Sequence, residues 1–109
     1  MKMIEIWINC PDQETAHTIS DALIASRWVA CANIFPEIES RYHWKGRIER
    51  DTEVPLVVKT RKEYFSLVAE EVRNLHPYET PGIVAVPVKR VNDDYLEWVY
   101  SETERSARQ

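Results

Sequence analysis

The chain has 109 residues, 44% apolar and 29% charged, with a formal net charge of −4. That is one domain, spanning 1–109, with a real but modest core. The acid excess and the lack of any basic run argue against a nucleic-acid partner, and no segment approaches the ~18 apolar residues of a membrane span.

Met1-Lys2-Met3-Ile4 runs straight into a strand without a signal-peptide pattern. Ile4, Ile6, Ile8 and Cys10 alternate with Glu5, Trp7 and Asn9, the period of two that marks a half-buried strand. Pro11-Asp12 opens a helix with Asp12 as N-cap, and Ala16, Ile19, Leu23 and Ser26 form its buried stripe. Two long strands follow between Ala30 and Arg61. Thr60-Arg61-Lys62-Glu63 has the pattern of a capping box, Thr60 capping and Glu63 reaching back. It predicts a second helix with Phe65, Val68, Val72 and Leu75 at helical spacing, stopped by Pro77. Ile83 to Val88 is a nearly continuous apolar run, a fourth strand with Pro87 near its end or on an edge. Asn92 or Asp93 caps a short third helix carrying Tyr95, Leu96 and Val99. The tail from Thr103 to Gln109 has nothing to bury and is expected to fray.

The strand pair from Ala30 to Arg61 dominates this plan. Ala32, Ile34, Ile38, Tyr42 and Trp44 occupy even positions on the way out; Ile48, Val54, Leu56 and Val58 do so on the way back. Residues opposite each other in an antiparallel pair share a face, so even is expected to meet even. A three-residue loop, Trp44-Lys45-Gly46, satisfies that parity. It pairs His43 with Arg47 and Tyr42 with Ile48, and puts Gly46 where a left-handed residue is wanted. Fourteen or so residues span roughly 45 Å, against a diameter of about 34 Å for a compact chain of this size. The hairpin tip should therefore project, and Tyr42, Trp44 and Ile48 would stay wet unless a partner covers them.

The element order is β-α-β-β-α-β plus a terminal helix, an α+β, ferredoxin-like split-βαβ sandwich with both main helices on one face of the sheet. Trp7, Phe35 and Val57 on the other face also argue for self-association. Function has to come from the site rather than the fold. Two glycines leave no phosphate-cradling loop. Cys10 and Cys31, without CxxC spacing, fit a reducing cytoplasm. Cys10 and His76 supply the thiolate and imidazole that suit copper or zinc, short of the four ligands of a structural zinc site. Leu75-His76-Pro77-Tyr78-Glu79-Thr80-Pro81-Gly82 is stiffened by its prolines and reads either as a rigid connector or as the lip of a ligand or metal site. No nucleophile, base and orienting group form a legible set, so no enzyme is expected. An RNA-recognition motif shares the topology, but Leu56-Val57-Val58-Lys59-Thr60 lacks its stacking aromatics.

Val29-Ala30-Cys31-Ala32-Asn33-Ile34, Tyr42, Trp44 and Gly46, Glu53, Lys59-Thr60, His76-Pro77-Tyr78-Glu79, Pro81, and Tyr95-Leu96 with Trp98 together resemble the CutA family of divalent-cation tolerance proteins, over nearly the whole chain. The resemblance implies a cytoplasmic homotrimer whose hairpins reach onto neighbours through Tyr42, Trp44 and Ile48. It also implies a link to copper tolerance, with Cys10 and His76 matching suggested Cu(II) ligands and no cofactor required. Leu75 stands where some relatives carry a second histidine, and Gly82 where the family commonly has a glutamate; both departures remove a potential ligand. PII signalling trimers share this subunit fold. They imply an alternative small-molecule sensor with an inter-subunit cleft lined by Lys59, His76, Tyr78 and Glu79. A third reading is a structural assembly protein with no ligand.

Overall fold

The computed structural model describes residues 1–105. The elements are β1 (Met3–Cys10), α1 (Gln13–Ala25), β2 (Cys31–Ile34), β3 (Ile38–Trp44), β4 (Arg47–Arg61), α2 (Phe65–Leu75), β5 (Ile83–Pro87) and α3 (Asp93–Glu102). The sheet order is β2-β4-β1-β5, all pairs antiparallel, with β3 continuing on β4 beyond β2. β1 is therefore central. Ile6 faces both Val58 and Ala85, and Trp7 faces both Val57 and Val84.

The even positions of β1 and β4 form the core face, as the alternation predicts. Ile6, Ile8, Leu56 and Val58 are buried beneath Ala16, Ile19 and Leu23 of α1 and Val68 and Val72 of α2. Asp12 caps α1 as expected, its carboxylate accepting from the Thr15 N–H at 2.8 Å. The capping box at Thr60 does not form. β4 runs through Thr60, whose buried hydroxyl donates to the Trp28 carbonyl at 2.7 Å, while Glu63 accepts from the Tyr100 hydroxyl. A 3₁₀ turn, Lys62–Tyr64, intervenes before α2. The cross-strand ladder has overridden a purely local capping pattern. The expected tail also begins later than Thr103, which is fully buried and accepts from Arg61 at 2.9 Å; residues 106–109 lie outside the described part. α3 meets the odd-numbered side of the sheet through Cys31, which contacts Tyr95, and Arg61, which bonds Tyr100 and Thr103.

The hairpin register differs from the parity expectation. Trp44 pairs with Arg47, His43 with Ile48 and Tyr42 with Glu49. The loop is the two-residue turn Lys45-Gly46, with φ of +52° and +79°; two positive φ values are the signature of a type I′ turn, whose twist matches the flanking strands. The reason lies at residues 35–37. β2 pairs even with even, Ala32 opposite Val58, but the ladder lapses at Phe35-Pro36-Glu37 and resumes with Ile38 opposite Glu53. Pro36 has no N–H to give to the ladder, and one extra residue is absorbed there as in a β-bulge. Beyond it every β3 side chain has changed sides relative to β2. Tyr42 and Trp44 therefore join the odd-numbered side of β4, with Asp51 and Glu53, and Ile48 points the opposite way. The three tip residues do not form one apolar face. The long axis of the molecule is 46 Å, in keeping with a projecting hairpin.

Candidate functional site

Because the bulge turns Tyr42 and Trp44 onto the side of the sheet away from α1 and α2, they overhang Trp7 and Val84. The loop from His76 to Gly82 closes the far side. The result is a cleft of about 620 Å³ lined by Trp7, Asn9, Tyr42, Trp44, Glu53, Tyr78, Glu79, Thr80, Gly82 and Val84. That volume lies within the range of small-molecule sites.

At its wall sits Glu53, only 6% exposed. Its carboxylate accepts from the Tyr78 hydroxyl at 2.8 Å and from the Asn9 amide at 3.4 Å. Burial, then the bond to Glu53 and its charge, push the Tyr78 phenol far above its ordinary value. Tyr42, outermost, donates to Asp51, and that bond raises its phenol to about 12. At the mouth the Lys45 ammonium lies 3.7 Å from the Glu79 carboxylate and 5.5 Å from the Trp44 ring centre. The loop is held from below by His76. Its Nδ1 accepts from the Tyr78 N–H at 3.2 Å, which leaves Nε2 to donate to the Asn9 carbonyl at 2.8 Å, and its ring packs on Tyr78 with centres 4.6 Å apart.

Of the residues singled out in the sequence, Tyr42, Trp44, Tyr78 and Glu79 are brought together here. Within the protomer Lys59 stands apart from them, bonded to Asn33 at 3.3 Å, and Ile48 is on the other side of the hairpin, 76% exposed. Cys10 and His76 are structural neighbours, since His76 bonds the residue before Cys10, but neither offers a free donor. Cys10 is fully buried on the core face. Burial, helped by the charges of Asp12 and Glu53, pushes its thiol up to about 11, which favours the protonated form at neutral pH. Both His76 ring nitrogens are already engaged. Among the described residues no group of three or more histidine, cysteine or acidic side chains is placed to hold a metal ion. The donor types suit Cu(II), but the pair as folded does not fit a resident metal. Sequence reading gives no site role to Asn9, nor to Glu53, which enters it only among the residues that carry the family resemblance. Both fall on the odd side of adjacent strands, β1 and β4, and the register of that pair, with Asn9 opposite Pro55, makes them diagonal neighbours.

The thiol gives a pH dependence with a definite sign. The unfolded thiol ionises near 9.0 and the folded one near 11, so between those values the unfolded chain has lost a proton that the folded chain keeps. The stabilisation is complete below pH 9 and is lost as pH rises towards 11; the raised Tyr78 phenol adds to the fall at higher pH. Urea midpoints measured across pH 8 to 11 should decline from about pH 9, and the decline should begin later in Cys10→Ala.

The model of the CutA1 divalent ion tolerance protein family matches residues 4–102. This chain belongs to the CutA1 family. It is 42% identical over 98 residues to the divalent-cation tolerance protein CutA of Thermus thermophilus, covering 90% of this chain and 95% of that one. It is 41% identical to mouse Protein CutA over 90% of this chain, yet it spans only 55% of the mouse protein's length. Among solved CutA structures, that from Archaeoglobus fulgidus, described as a periplasmic divalent cation tolerance protein, superposes with a TM-score of 0.91 at 39% identity, over 94% of this chain and 99% of that one. The rice CutA1 structure gives 0.92 at 34% identity and covers 97% of each chain. The ferredoxin-like fold expected from element order thus sits among CutA1 crystal structures.

Proposed function

We propose that this CutA1 protein serves divalent-cation tolerance as a cytoplasmic homotrimer, without enzyme chemistry and without a resident metal. The observation that carries the assembly is the sheet face away from α1 and α2. Trp7, Phe35, Val84 and Val86 are all between 39% and 57% exposed there, Trp7 on β1, Val84 and Val86 on the adjacent β5 and Phe35 just past β2, with Trp7 and Phe35 rings 5.7 Å apart. Ile38 and the hairpin aromatics extend this surface. Apolar area of this kind on a soluble chain marks an interaction face, and the hairpin continues it beyond the protomer's own core. Three copies is the number the family resemblance implies. Free thiols at Cys10 and Cys31 support a reducing compartment. The test is the mass in solution at micromolar concentration, expected at three times 12.8 kDa; a monomer would overturn the reading.

The cation enters this reading as a weak, competing ligand. Cu(II) titrated into the native protein at neutral pH should give the same isotherm for wild type, Cys10→Ala and His76→Gln, because the thiol is protonated and both imidazole nitrogens are bonded. A binding phase lost in either variant would restore that pair as a copper site. A second reading, a small-molecule sensor like the PII trimers, is favoured by one observation, the cleft over Glu53.

A further inference from the structure

Four cationic side chains gather around one hollow at the opposite end of β4 from the hairpin turn, where Met3 pairs with Arg61. Lys2, Lys62, Lys89 and Arg90 line a cleft of about 710 Å³ whose floor includes Ile4, Pro87 and Leu96. The chain has 14 lysines and arginines against 18 aspartates and glutamates; four of the former and none of the latter line this cleft. The local balance is thus the reverse of the chain's net charge of −4.

The acidic residues next to the cleft in sequence are committed elsewhere. Glu5 accepts from the Trp7 indole at 3.2 Å and Glu63 from the Tyr100 hydroxyl at 3.0 Å. Asp93 and Asp94 sit in the first turn of α3, where they complement the helix dipole. Among the described residues none of the four cations makes an ion pair. Like charges around a concave, partly apolar surface raise its potential, because low-dielectric walls focus the field. An anion in the hollow would relieve their repulsion.

The frame of the cleft is fixed by backbone bonds. The Lys62 N–H donates to the Lys2 carbonyl at 2.9 Å and the Val88 N–H to the Met3 carbonyl at 3.2 Å. Ile4 and Pro87 are opposite each other in the ladder, and Ile4 belongs to the core, so this part of the floor is on the side of α1 and α2. No lining residue belongs to the face of Trp7, Phe35, Val84 and Val86 or to the hairpin. Covering that face leaves the lining residues outside the contact.

The two kinds of wall define the ligand. A guanidinium offers a planar fork that matches two oxygens of one anionic group, and ammonium groups add point charges. Four positive charges suit a phosphate, which carries close to two negative charges at neutral pH, better than a carboxylate with one. The apolar floor asks for a carbon body, and the volume is that of a small-molecule site. A flat array of lipid headgroups matches a hollow less well. We propose that this cleft binds a soluble organic phosphate, its phosphate group among Lys62, Lys89 and Arg90 and its apolar body on Ile4, Pro87 and Leu96.

The test follows the fluorescence anisotropy of 1-naphthyl phosphate mixed with the intact protein at neutral pH, with 1-naphthol as the uncharged analogue. Saturable binding is expected, about tenfold tighter for the phosphate and weakened several-fold by sodium chloride at about 0.3 M. Lys89→Gln/Arg90→Gln should weaken it about tenfold. Both side chains are exposed on a connector, so the fold and the mass on light scattering should not change. Arg41→Gln/Arg73→Gln removes the same charge from exposed positions elsewhere and should leave affinity within about twofold. Absence of saturable binding would overturn the proposal, as would equal affinity for naphthol or equal losses in the two double variants. Inorganic phosphate displacing the ligand as well as phenyl phosphate does would show that the apolar floor plays no part, and would also overturn it. So would co-sedimentation with vesicles of phosphatidylcholine and phosphatidic acid that Lys89→Gln/Arg90→Gln abolishes, since the occupant would then be a lipid headgroup. A lower mass for that variant would place the connector between copies and overturn the site as well. A monomeric wild type leaves the binding expectation as it stands, so this proposal and the trimer fail separately.

Discussion

The Val84→Glu variant should fold as the wild type does and stay a monomer of 12.8 kDa. Val84 is 57% exposed and lies on β5, which among the described residues pairs only with β1. In an isolated protomer the new carboxylate would simply be solvated, and substitutions at such positions usually change stability by no more than about 0.5 kcal/mol. In an assembly closed over this face, every copy would have to bury an unpaired charge beside Trp7. The effective penalty for that is several kcal/mol per ion and recurs at every symmetry-related contact. Light scattering and urea denaturation of the same sample separate the two effects. An oligomer that persists would mean that the face around Trp7 and Val84 is not where copies meet. Unfolding of the variant at low urea would mean that the face belongs to the protomer's own core.

The second large effect lies under the helices. Leu56 is fully buried, opposite Ile8 of β1 and Ile34 of β2, where two strand pairings and the helix layer meet. Leu56→Ala should cost about 2–5 kcal/mol, the lost transfer energy plus a cavity that a sheet centre closes only in part. The measurement is cleanest on the Val84→Glu background, because assembly otherwise adds a concentration-dependent term to apparent stability. The midpoint should fall with the slope against urea preserved. A loss below about 0.5 kcal/mol, the scale of a surface change, would place Leu56 outside the core.

Much of this fold is legible in alternation alone. Ile4, Ile6 and Ile8 against Glu5, Trp7 and Asn9, and the matching pattern in β4, set which side of each strand is buried, because a pleated strand has a side-chain period of two. What parity cannot see is a lapse in the ladder. The expectation of even facing even carried the β2 register past Pro36, and so asked for a three-residue loop. Lys45-Gly46 satisfies a two-residue turn once the extra residue is absorbed at Phe35-Pro36-Glu37. A proline inside a strand that otherwise reads as continuous was the available signal.

The same lapse explains why the cleft was only half visible. Tyr78 and Glu79 are conspicuous in a proline-stiffened loop, and Tyr42 and Trp44 are conspicuous as aromatics. Their meeting with Glu53 depends on the change of side at the bulge. Lys59 bonds Asn33 on the unbent part of the strand pair, so within one protomer it stands apart from this group. Cys10 and His76 look like soft-metal ligands by residue type. Their protonation and bonding are set by a core and a loop contact that no spacing encodes.

The central position of β1 also bears on how the chain reaches this state. Ile4 pairs with Thr60 and Pro87, so β1 has no strand partner until β4 has been made, and its second edge waits longer still for β5. The β3–β4 hairpin, by contrast, joins residues from 3 apart at its turn, Trp44 and Arg47, and can close early. Non-local pairings of this kind slow folding, and unpaired strand edges in the meantime invite association with other chains. Among the described strands, a nascent Met3–Cys10 segment, apolar on every second residue, waits longest for both of its neighbours and is the one a chaperone would most usefully cover.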